Sequence, residues 1–385
     1  MASYVDYAES PQQEQVARLM DEGLIPAGIA KEVGRDEANV RRSVRAIKAR
    51  AAKKGHAPEH DMTRTAPEGF AVKGVSTYYQ ATETQPAQWV KTNQDAERQA
   101  EIMRAVVEAM KEDVPHAQAV APPAPSGAGM CNCHILTDYH LGALAWGEES
   151  GEDWDTDKAE DLLIRWMTKA ISTAPEAEVG LLAQLGDFLH YDSLESITPT
   201  SGHQLDSDSR YAFLVRVAIR SLRRVIAMML AKYERVHVIM SDANHDPTGG
   251  IWMRELFAAF YEHEPRLTVD TTPGTFNCFE WGDTSLFFHH GHKRKLEALS
   301  EVFAGRFREV YGRTKYSYAH LGHLHHIASK ETNLMVVEQH RTMAAKDAYA
   351  ANGGYLSGRS ADVITYSKEF GQVSRLTMTP ESVDL

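Results

Sequence analysis

The feature that most constrains this sequence is a set of five short apolar runs after residue 130, each of which has aspartate, asparagine or histidine at or just after its end. The runs are CNCHILT, VGLLAQLG, VHVIMSD, SLFFHHG and SYAHLG. Their length and their content of branched and aromatic residues are typical of buried strands. Helical periodicity between the runs predicts helices over residues 157–171, 209–233, 252–263 and 293–311. Strands that alternate with helices predict a layered α/β domain.

The polar residues stand at the same end of every run. In chain order they are Asp138 and His140, Asp187 and His190, Asn244 and His245, His290, and His323 and His325. Ligands of open α/β sheets bind at the carboxyl ends of the strands, so these side chains are expected to meet at one edge. Nitrogen and oxygen ligands together suit Mn, Fe or Zn better than Mg or Ca, which prefer oxygen alone. The sequence therefore predicts a metal site.

The five polar motifs resemble, in their order, those of the calcineurin-like metallophosphoesterase superfamily. The motifs are D-x-H, G-D-x-x-(D/H), G-N-H-(D/E), a single histidine before glycine, and G-H-x-H. The resemblance covers the chain from about residue 130 to its end and implies a four-layer α/β/β/α sandwich, which further short strands after residue 335 would close. The third motif departs from the pattern, because Ala243 stands where the superfamily has glycine. This reduces the backbone freedom of a tight turn but removes no ligand.

The resemblance implies a centre of two divalent metal ions, which we expect to be Mn, with Fe or Zn as alternatives. The ligands of one ion would be Asp138, His140, Asp187 and His325, and those of the other Asp187, Asn244, His290 and His323, with the Asp187 carboxylate as the bridge. Two cations about 4 Å apart can clamp a phosphate, lower the pKa of a bridging water and stabilise charge on the attacking and leaving oxygens. His245, which neighbours a ligand, would protonate the leaving oxygen or stabilise the transition state.

A second catalytic candidate, His190, bears on the substrate. The segment GDFLH is similar to the second motif of double-strand-break repair nucleases in the superfamily, where a histidine at this place assists the cleavage of DNA phosphodiesters. Many phosphatases of the superfamily have aspartate, asparagine or another residue there, so the resemblance favours a phosphodiester substrate. The whole chain, including GVSTYYQ and QWVKTN, also resembles uncharacterised bacteriophage metallophosphoesterases, which implies the cytoplasm of a host cell as its location.

Other reactive side chains in this region have plainer interpretations. We expect a structural or surface role for His134, His203, His237, His263, His320, His326 and His340. His289 and His292 flank a proposed ligand and are candidates for contacts that orient it. Cys131 and Cys133 would share one face of a strand, where burial in the core is expected. Asp246 is a candidate for orienting a neighbouring imidazole.

Positive charge is concentrated near the N-terminus. The chain has a formal net charge of −12, but residues 31–54 hold nine Lys or Arg against three acidic residues, which leaves −18 on the remainder. A basic segment on an acidic chain predicts an anionic partner, such as nucleic acid.

The basic segment belongs to a region that predicts three short helices, over 12–22, 26–33 and 36–54. An apolar stripe on the third helix is formed by Val40, Val44, Ile47 and Ala51. This arrangement resembles a helix-turn-helix domain, in which case DNA would be bound by Arg41, Arg42, Arg45 and Lys48. The alternative is a small capping bundle with a solvated charged face.

The predicted organisation has three parts: a helix-turn-helix-like domain over 1–55, a linker region over 56–129 and a catalytic domain over 130–385. The linker region would contain a hairpin, built from FAVKGVSTYYQ and QWVKTN, and a helix over 94–111. No apolar run is long enough to span a bilayer, and the N-terminus lacks the basic-then-apolar pattern of a signal peptide. Three cysteines cannot form a disulfide framework. We therefore expect a cytoplasmic protein that does not bind membranes.

These predictions favour a dinuclear metal phosphoesterase that hydrolyses phosphodiester bonds in DNA, as a nuclease of DNA processing or repair. One alternative is a phosphomonoesterase that acts on protein or nucleotide. Another alternative is a DNA-binding regulatory protein whose hydrolase fold is incidental. The intact set of ligands argues against this last alternative, because a degenerate domain is expected to lose ligands.

Overall fold

The computed structural model describes residues 3–53, 70–77, 88–94, 120–199, 202 and 204–383. The chain divides into two compact units, Met1–Val114 and Pro115–Leu385. Much of the predicted linker region, almost all of the predicted helix over 94–111, and His203 lie outside the described residues. Of the helices within the described ranges, none has the length and apolar character that crossing a membrane requires.

The smaller unit contains the three predicted helices, α1 (Pro11–Asp21), α2 (Pro26–Glu32) and α3 (Glu37–Lys53). The Asp36 carboxylate accepts a hydrogen bond from the Ala38 N–H at 2.9 Å and so caps α3. The predicted stripe is buried against α1 and α2, and it consists of Val40, Val44, Ile47 and Ala51. The predicted hairpin is also present: β1 (Phe70–Thr77) pairs antiparallel with β2 (Gln88–Gln94).

The first sheet of the larger unit has six strands and is mixed. Its strands are β3 (Met130–Leu136), β4 (Val179–Gln184), β5 (Arg235–Met240), β6 (Leu267–Val269), β12 (Ala361–Ser367) and β13 (Gly371–Met378). Their order across the sheet is β13-β12-β3-β4-β5-β6. Strands β3 to β6 are parallel, while β12 pairs antiparallel with both of its neighbours. The parallel part therefore brings the ends of β3, β4 and β5 to one edge.

The second sheet has five strands and is also mixed. Its strands are β7 (Asn277–Trp281), β8 (Thr284–Phe288), β9 (Tyr316–Leu321), β10 (Ala328–Glu331) and β11 (Val336–Gln339). Their order is β10-β11-β9-β8-β7, with β8, β9 and β11 parallel and the outer two strands antiparallel.

The core between the sheets follows from the alternation of side chains along each strand. Cys131 and Cys133 of β3 are fully buried, as predicted, and belong to the same apolar cluster as Leu286 and Phe288 of β8. The intervening Phe287 points to the other face of its sheet, where it packs in a second cluster with two residues of a helix, Leu299 and Phe303.

Two predicted helices of the larger unit differ clearly from the observed ones, and two short observed helices were not predicted. The observed helices are α4 (Gly147–Ser150), α5 (Thr156–Thr173), α6 (Tyr211–Lys232), α7 (Pro247–Phe260), α8 (Leu296–Arg306), α9 (Arg308–Arg313) and α10 (Ala348–Asn352). The helix predicted over 293–311 is two helices, because Phe307 leaves the helical conformation at φ −106°, ψ 43° and places its ring 5.7 Å from that of Phe287. The helix predicted from residue 252 begins at Pro247, a residue that favours the first position of a helix.

The carboxyl ends of the two sheets meet at one place. The Asp138 N–H donates to the Gly186 carbonyl at 3.1 Å, which joins the loops that follow β3 and β4. The Gly322 N–H donates to the His290 carbonyl at 2.8 Å, which joins the loops that follow β9 and β8. The His323 N–H then donates to the Asp138 carboxylate at 2.8 Å, and this bond connects one sheet edge to the other.

Candidate metal centre

Backbone strain marks this edge of the larger unit. In the part of the chain that the structure describes, the residues other than glycine with φ in the left-handed region are Asp138, His140, Asp187, His323 and His325. Their φ angles lie between 47° and 76°. A left-handed conformation costs an L-residue roughly 1–2 kcal/mol, and such residues cluster at functional sites. All five are predicted metal ligands.

The strained loops support one another through tight contacts around Asp138. The Thr137 hydroxyl donates to the Asp138 carboxylate at 2.6 Å. Gly322 passes so close that a Cβ there would collide with the Thr137 hydroxyl and the Asp138 carboxylate. The glycine of the G-H-x-H motif is therefore required for the approach of two loops, since any side chain would separate them.

One group of predicted ligands consists of Asp138, His140 and His325. The His325 Nε2 lies 3.2 Å from the Asp138 Oδ1 and 3.2 Å from the His140 Nε2. Asp138 is fully buried and His140 is 9% exposed. Three ligand atoms of these types therefore converge within the space of one cation.

A second group consists of Asp187, His290 and His323, with Asn244 beside it. The His290 Nε2 lies 3.1 Å from the Asp187 Oδ2 and 2.9 Å from the Asn244 Oδ1. The His290 Nδ1 donates to the Leu185 carbonyl at 2.9 Å. Because a carbonyl can only accept, Nδ1 carries a hydrogen whether the ring is charged or neutral. Nε2 is therefore the nitrogen that loses its proton when a cation binds, and it faces the two oxygens. A backbone partner thus fixes the tautomer that a metal ligand needs.

The two groups are adjacent, because the His290 Nε2 lies 4.0 Å from the Asp138 Oδ1. Burial would raise the pKa of the Asp187 carboxyl, but the charge of His290 and its hydrogen bond lower that pKa well below 3.8. Burial would likewise lower the pKa of His290, yet Asp187 and Asp138 raise it to about 9. Buried carboxylates of this kind require a nearby positive charge. The donor set and its charge therefore fit divalent cations that accept mixed nitrogen and oxygen ligands.

The predicted catalytic residue His245 is tied to the ligand loops. Its backbone N–H donates to the Asp187 Oδ1 at 2.8 Å, and its Nδ1 donates to the His190 carbonyl at 2.9 Å. Its ring centroid lies 4.7 Å from that of His140. The Nε2 of His245 is consequently the atom left to act on a substrate.

His190, the other predicted catalytic residue, is 1% exposed. Its Nδ1 lies 3.3 Å from the Nδ1 of His140. Burial is the main cause that lowers the pKa of His190 to about 4, so the ring is neutral near pH 7. A neutral ring at this place can accept the Nδ1 hydrogen of His140, which leaves the His140 Nε2 free to bind a cation.

Three further predictions can be compared with the structure. Asp246 does not orient an imidazole: its carboxylate accepts the N–H groups of Asp187 at 3.1 Å and Leu189 at 2.9 Å, and so shapes the ligand loop. His289 accepts the Gly291 N–H at 2.8 Å and stacks on a phenylalanine ring. Ala243 is not among the residues with positive φ, so the loss of the usual glycine causes no strain in the backbone.

A buried polar network near β9 was not predicted as a unit. The His320 Nδ1 lies 2.9 Å from the His340 Nε2, and the His340 Nδ1 lies 3.1 Å from an Asp362 oxygen. Arg375 donates to Asp362 at 3.3 Å and to Glu338 at 2.6 Å. The guanidinium supplies positive charge to this cluster, whose His320, Glu338 and His340 are also close enough together to hold a cation. The structural role of the two histidines stays a prediction.

The predicted DNA-binding residues lie on α3 in the smaller unit. Arg41, Arg42 and Arg45 are exposed, and Lys48 is half-buried. Arg41 forms an ion pair with Glu37 at 2.7 Å, which neutralises part of the positive charge at the start of the helix. DNA binding by this helix stays a prediction.

The chain was compared with family models, curated proteins and solved structures. No protein-family model matches the chain, and no curated protein matches it. Among solved structures 61 chains match, including phosphoesterases and phosphodiesterases. An uncharacterised protein of Streptococcus pneumoniae, described as a predicted phosphoesterase, is 8% identical with a TM-score of 0.27, and the match covers 66% of this chain and 100% of that one.

Two other matches have similar values. A novel archaeal phosphodiesterase is 12% identical with a TM-score of 0.32, and the match covers 64% of this chain and 99% of that one. The Zn²⁺ complex of Vps29 from Entamoeba histolytica is 11% identical with a TM-score of 0.25, over 65% of this chain and 99% of that one. Since these TM-scores are below 0.5, we base the interpretation of the site on its own geometry.

Proposed function

We propose that this chain is a metal-dependent phosphoesterase with a dinuclear centre. One ion would be held by Asp138, His140, Asp187 and His325, and the other by Asp187, Asn244, His290 and His323. The observation that carries the proposal is the left-handed backbone at Asp138, His140, Asp187, His323 and His325. This strain is explained if the five side chains must be aimed at common cations. Mn²⁺ is the proposed metal, with Fe or Zn as alternatives.

The residues of the chain have distinct roles in this proposal. When bound, the cations would supply Lewis-acid stabilisation of a phosphoryl group. The His245 Nε2, whose ring is held by the bond from Nδ1 to the His190 carbonyl, would donate a proton to the leaving oxygen. Asp246 and Thr137 would keep the two ligand carboxylates in place.

The proposed substrate is a phosphodiester in DNA, which makes the protein a nuclease of DNA processing or repair. Support comes from the buried His190 beside His140 and from the resemblance of GDFLH to repair nucleases. A phosphomonoesterase is the alternative. The test compares the Mn²⁺-loaded protein on bis-p-nitrophenyl phosphate, p-nitrophenyl phosphate and linear DNA. Preferential diester hydrolysis, reduced more than monoester hydrolysis by His190→Ala, is expected; equal losses would contradict the diester assignment.

The proposal also covers the fold of the larger unit, the role of the smaller unit, and the origin of the protein. The apolar clusters on both faces of the second sheet favour a four-layer α/β/β/α sandwich. The three-helix core of the smaller unit, with its exposed arginines, favours a helix-turn-helix domain that binds DNA. A bacteriophage origin, and with it the host cytoplasm as the location, rests on the sequence resemblance.

A further inference from the structure

A cleft of about 640 Å³ lies beside the metal centre. One of its walls is the segment Gly291 to Leu296, which directly follows His290. Its lining also includes Leu324, which separates His323 from His325 in the sequence. The volume falls within the range of about 300–1,000 Å³ that is usual for ligand sites. The cleft is thus continuous with two loops that carry proposed ligands.

The cleft is basic, although the unit that contains it is acidic. Its lining has four Lys or Arg residues against one acidic residue, Glu297; the four are Lys293, Arg294, Lys295 and Lys330. The unit as a whole, residues 115–385, has a net charge of −10. All four cationic side chains are exposed, and none forms an ion pair with a carboxylate of the described residues. Their charge is therefore available to a bound anion.

We propose that this cleft binds the phosphates that flank the scissile bond of a DNA strand. This inference rests on the proposed phosphodiesterase function. The metal centre would neutralise the scissile phosphate, so four further cations beyond it exceed what a small phosphoester needs. They match a polymer that carries one negative charge per linkage.

The composition of the cleft also indicates how the strand is bound. Its described lining residues include no Phe, Tyr or Trp, the larger aromatic side chains on which bases stack; its aromatic rings are the smaller imidazoles of His292 and His326. Exposed lysines act as mobile point charges on phosphate oxygens. The cleft is therefore suited to the backbone of the strand and not to its bases, and binding at this place is expected to be independent of base sequence.

The test uses a variant of the full chain that removes three of the cations, Lys293→Gln/Arg294→Gln/Lys295→Gln. A matched control removes three exposed cations outside the cleft, Arg224→Gln/Arg308→Gln/Lys315→Gln. With Mn²⁺, we measure the ratio of kcat/KM on a single-stranded oligonucleotide to kcat/KM on bis-p-nitrophenyl phosphate. The cleft variant should lower this ratio by about tenfold or more, and the control should leave it within about twofold.

A binding series in EDTA, which stops hydrolysis, separates the cleft from the catalytic proposal. Fluorescence anisotropy with a labelled oligonucleotide gives the affinity at a series of salt concentrations. The salt slope, which is the slope of log affinity against log salt concentration, should be about 2 units shallower in the cleft variant, at roughly 0.7 per lost contact. Equal ratios and equal salt slopes in the cleft and control variants would overturn the proposed role of the cleft. A wild-type chain that binds no oligonucleotide would overturn it as well. Failure of the wild-type chain to hydrolyse any ester would overturn the catalytic function instead. Circular dichroism checks that both variants are folded.

Discussion

At the scale of single residues, the candidate metal centre depends on backbone conformation as much as on side-chain type. The order of the motifs predicted which residues gather, and the structure brings them together. No sequence pattern predicted that Asp138 and Asp187 would each have a φ of 50°, because a left-handed aspartate is indistinguishable in sequence from any other. The carbonyl of Leu185, which orients His290, was also missed, since every residue has a carbonyl and only the fold selects one. The basic run HKRK directly after Gly291 is visible in the sequence, but no anion-binding role was predicted for it.

The first prediction concerns the proposed bridging ligand. Asp187→Asn should lose both metal ions and nearly all turnover, because a neutral amide replaces the carboxylate that faces His290. The measurement is elemental analysis of the purified variant together with its activity on bis-p-nitrophenyl phosphate. The control is Asp192→Asn: burial raises the pKa of the Asp192 carboxyl to about 6, and the side chain accepts bonds from Tyr211 and Thr248 instead of facing the centre. Two metals per chain in Asp187→Asn would show that the assignment is wrong.

The second prediction separates the proton donor from the ligands. His245→Ala should retain both metals, because the backbone N–H that supports Asp187 is unchanged, but turnover should fall by roughly 10²-fold or more. The fall should appear in kcat, measured on bis-p-nitrophenyl phosphate with metal content determined in parallel. His263→Ala, at a side chain that is 93% exposed, is the matched control. Loss of metal from His245→Ala would assign that residue to the ligand set.

At the scale of elements, the sequence predicted where the strands lie but not which strands pair with one another. Strands β3 and β4 are buried on both faces, and for that reason they appear in the sequence as continuous apolar runs. Strands were expected after residue 335, yet nothing in their sequence indicated that β12 and β13 would extend the first sheet while β11 joins the second. Pairing of this kind is decided by contacts between distant segments. The break at Phe307 is similar, since packing of its ring on Phe287 overrides local helical preference.

The third prediction concerns His134 on β3, which is 1% exposed and lies with its Nε2 2.8 Å from the Tyr233 hydroxyl. Burial, with a smaller contribution from Lys232, lowers the pKa of His134 to about 3 from an unfolded value of 6.5. Below pH 6.5 His134 becomes protonated in the unfolded chain but stays neutral in the folded chain. The contribution of His134 to the free energy of unfolding is therefore fully present above pH 6.5 and decreases as the pH falls toward 3.

Replacing the histidine removes this contribution. Between pH 6.5 and 5.5 the free energy of unfolding should fall by about 1 kcal/mol more in the wild-type protein than in His134→Gln, whose side chain keeps an acceptor for the Tyr233 hydroxyl. The measurement is urea unfolding in EDTA followed by tryptophan fluorescence, since five of the six tryptophans lie in residues 115–385. Parallel pH dependences in the two proteins would mean that folding does not lower the pKa of His134.

At the scale of the whole molecule, positive charge is concentrated in a few segments of an acidic chain, among them α3 and the lining of the cleft. Residues 1–114 carry −2 and residues 115–385 carry −10, but α3 has six Lys or Arg and one acidic residue. A mostly acidic surface repels DNA, so contact is expected where cations are concentrated. The proposed function thus assigns binding to α3 and to the cleft, and hydrolysis to the metal centre.

The last prediction tests α3 in the full chain. Arg41→Gln/Arg42→Gln/Arg45→Gln removes three exposed cations from the helix, while half-buried Lys48 is kept. If these arginines contact phosphates, duplex DNA affinity in a gel-shift series should fall and its salt slope should become shallower by about 3 units, at roughly 0.9 per contact. Cleavage of long DNA should fall in parallel.

Two control measurements show whether a loss of DNA affinity is caused by the arginines of α3. Hydrolysis of bis-p-nitrophenyl phosphate should be unchanged in the α3 variant, because every proposed metal ligand lies beyond residue 137. The matched control, Arg18→Gln/Lys31→Gln/Arg35→Gln, has the same loss of charge at exposed positions outside α3 and should bind DNA almost as the wild-type protein does. If the α3 variant and this control have the same DNA affinity and the same salt slope, α3 is not a recognition helix. Its basic face is then the solvated surface of a small helical bundle.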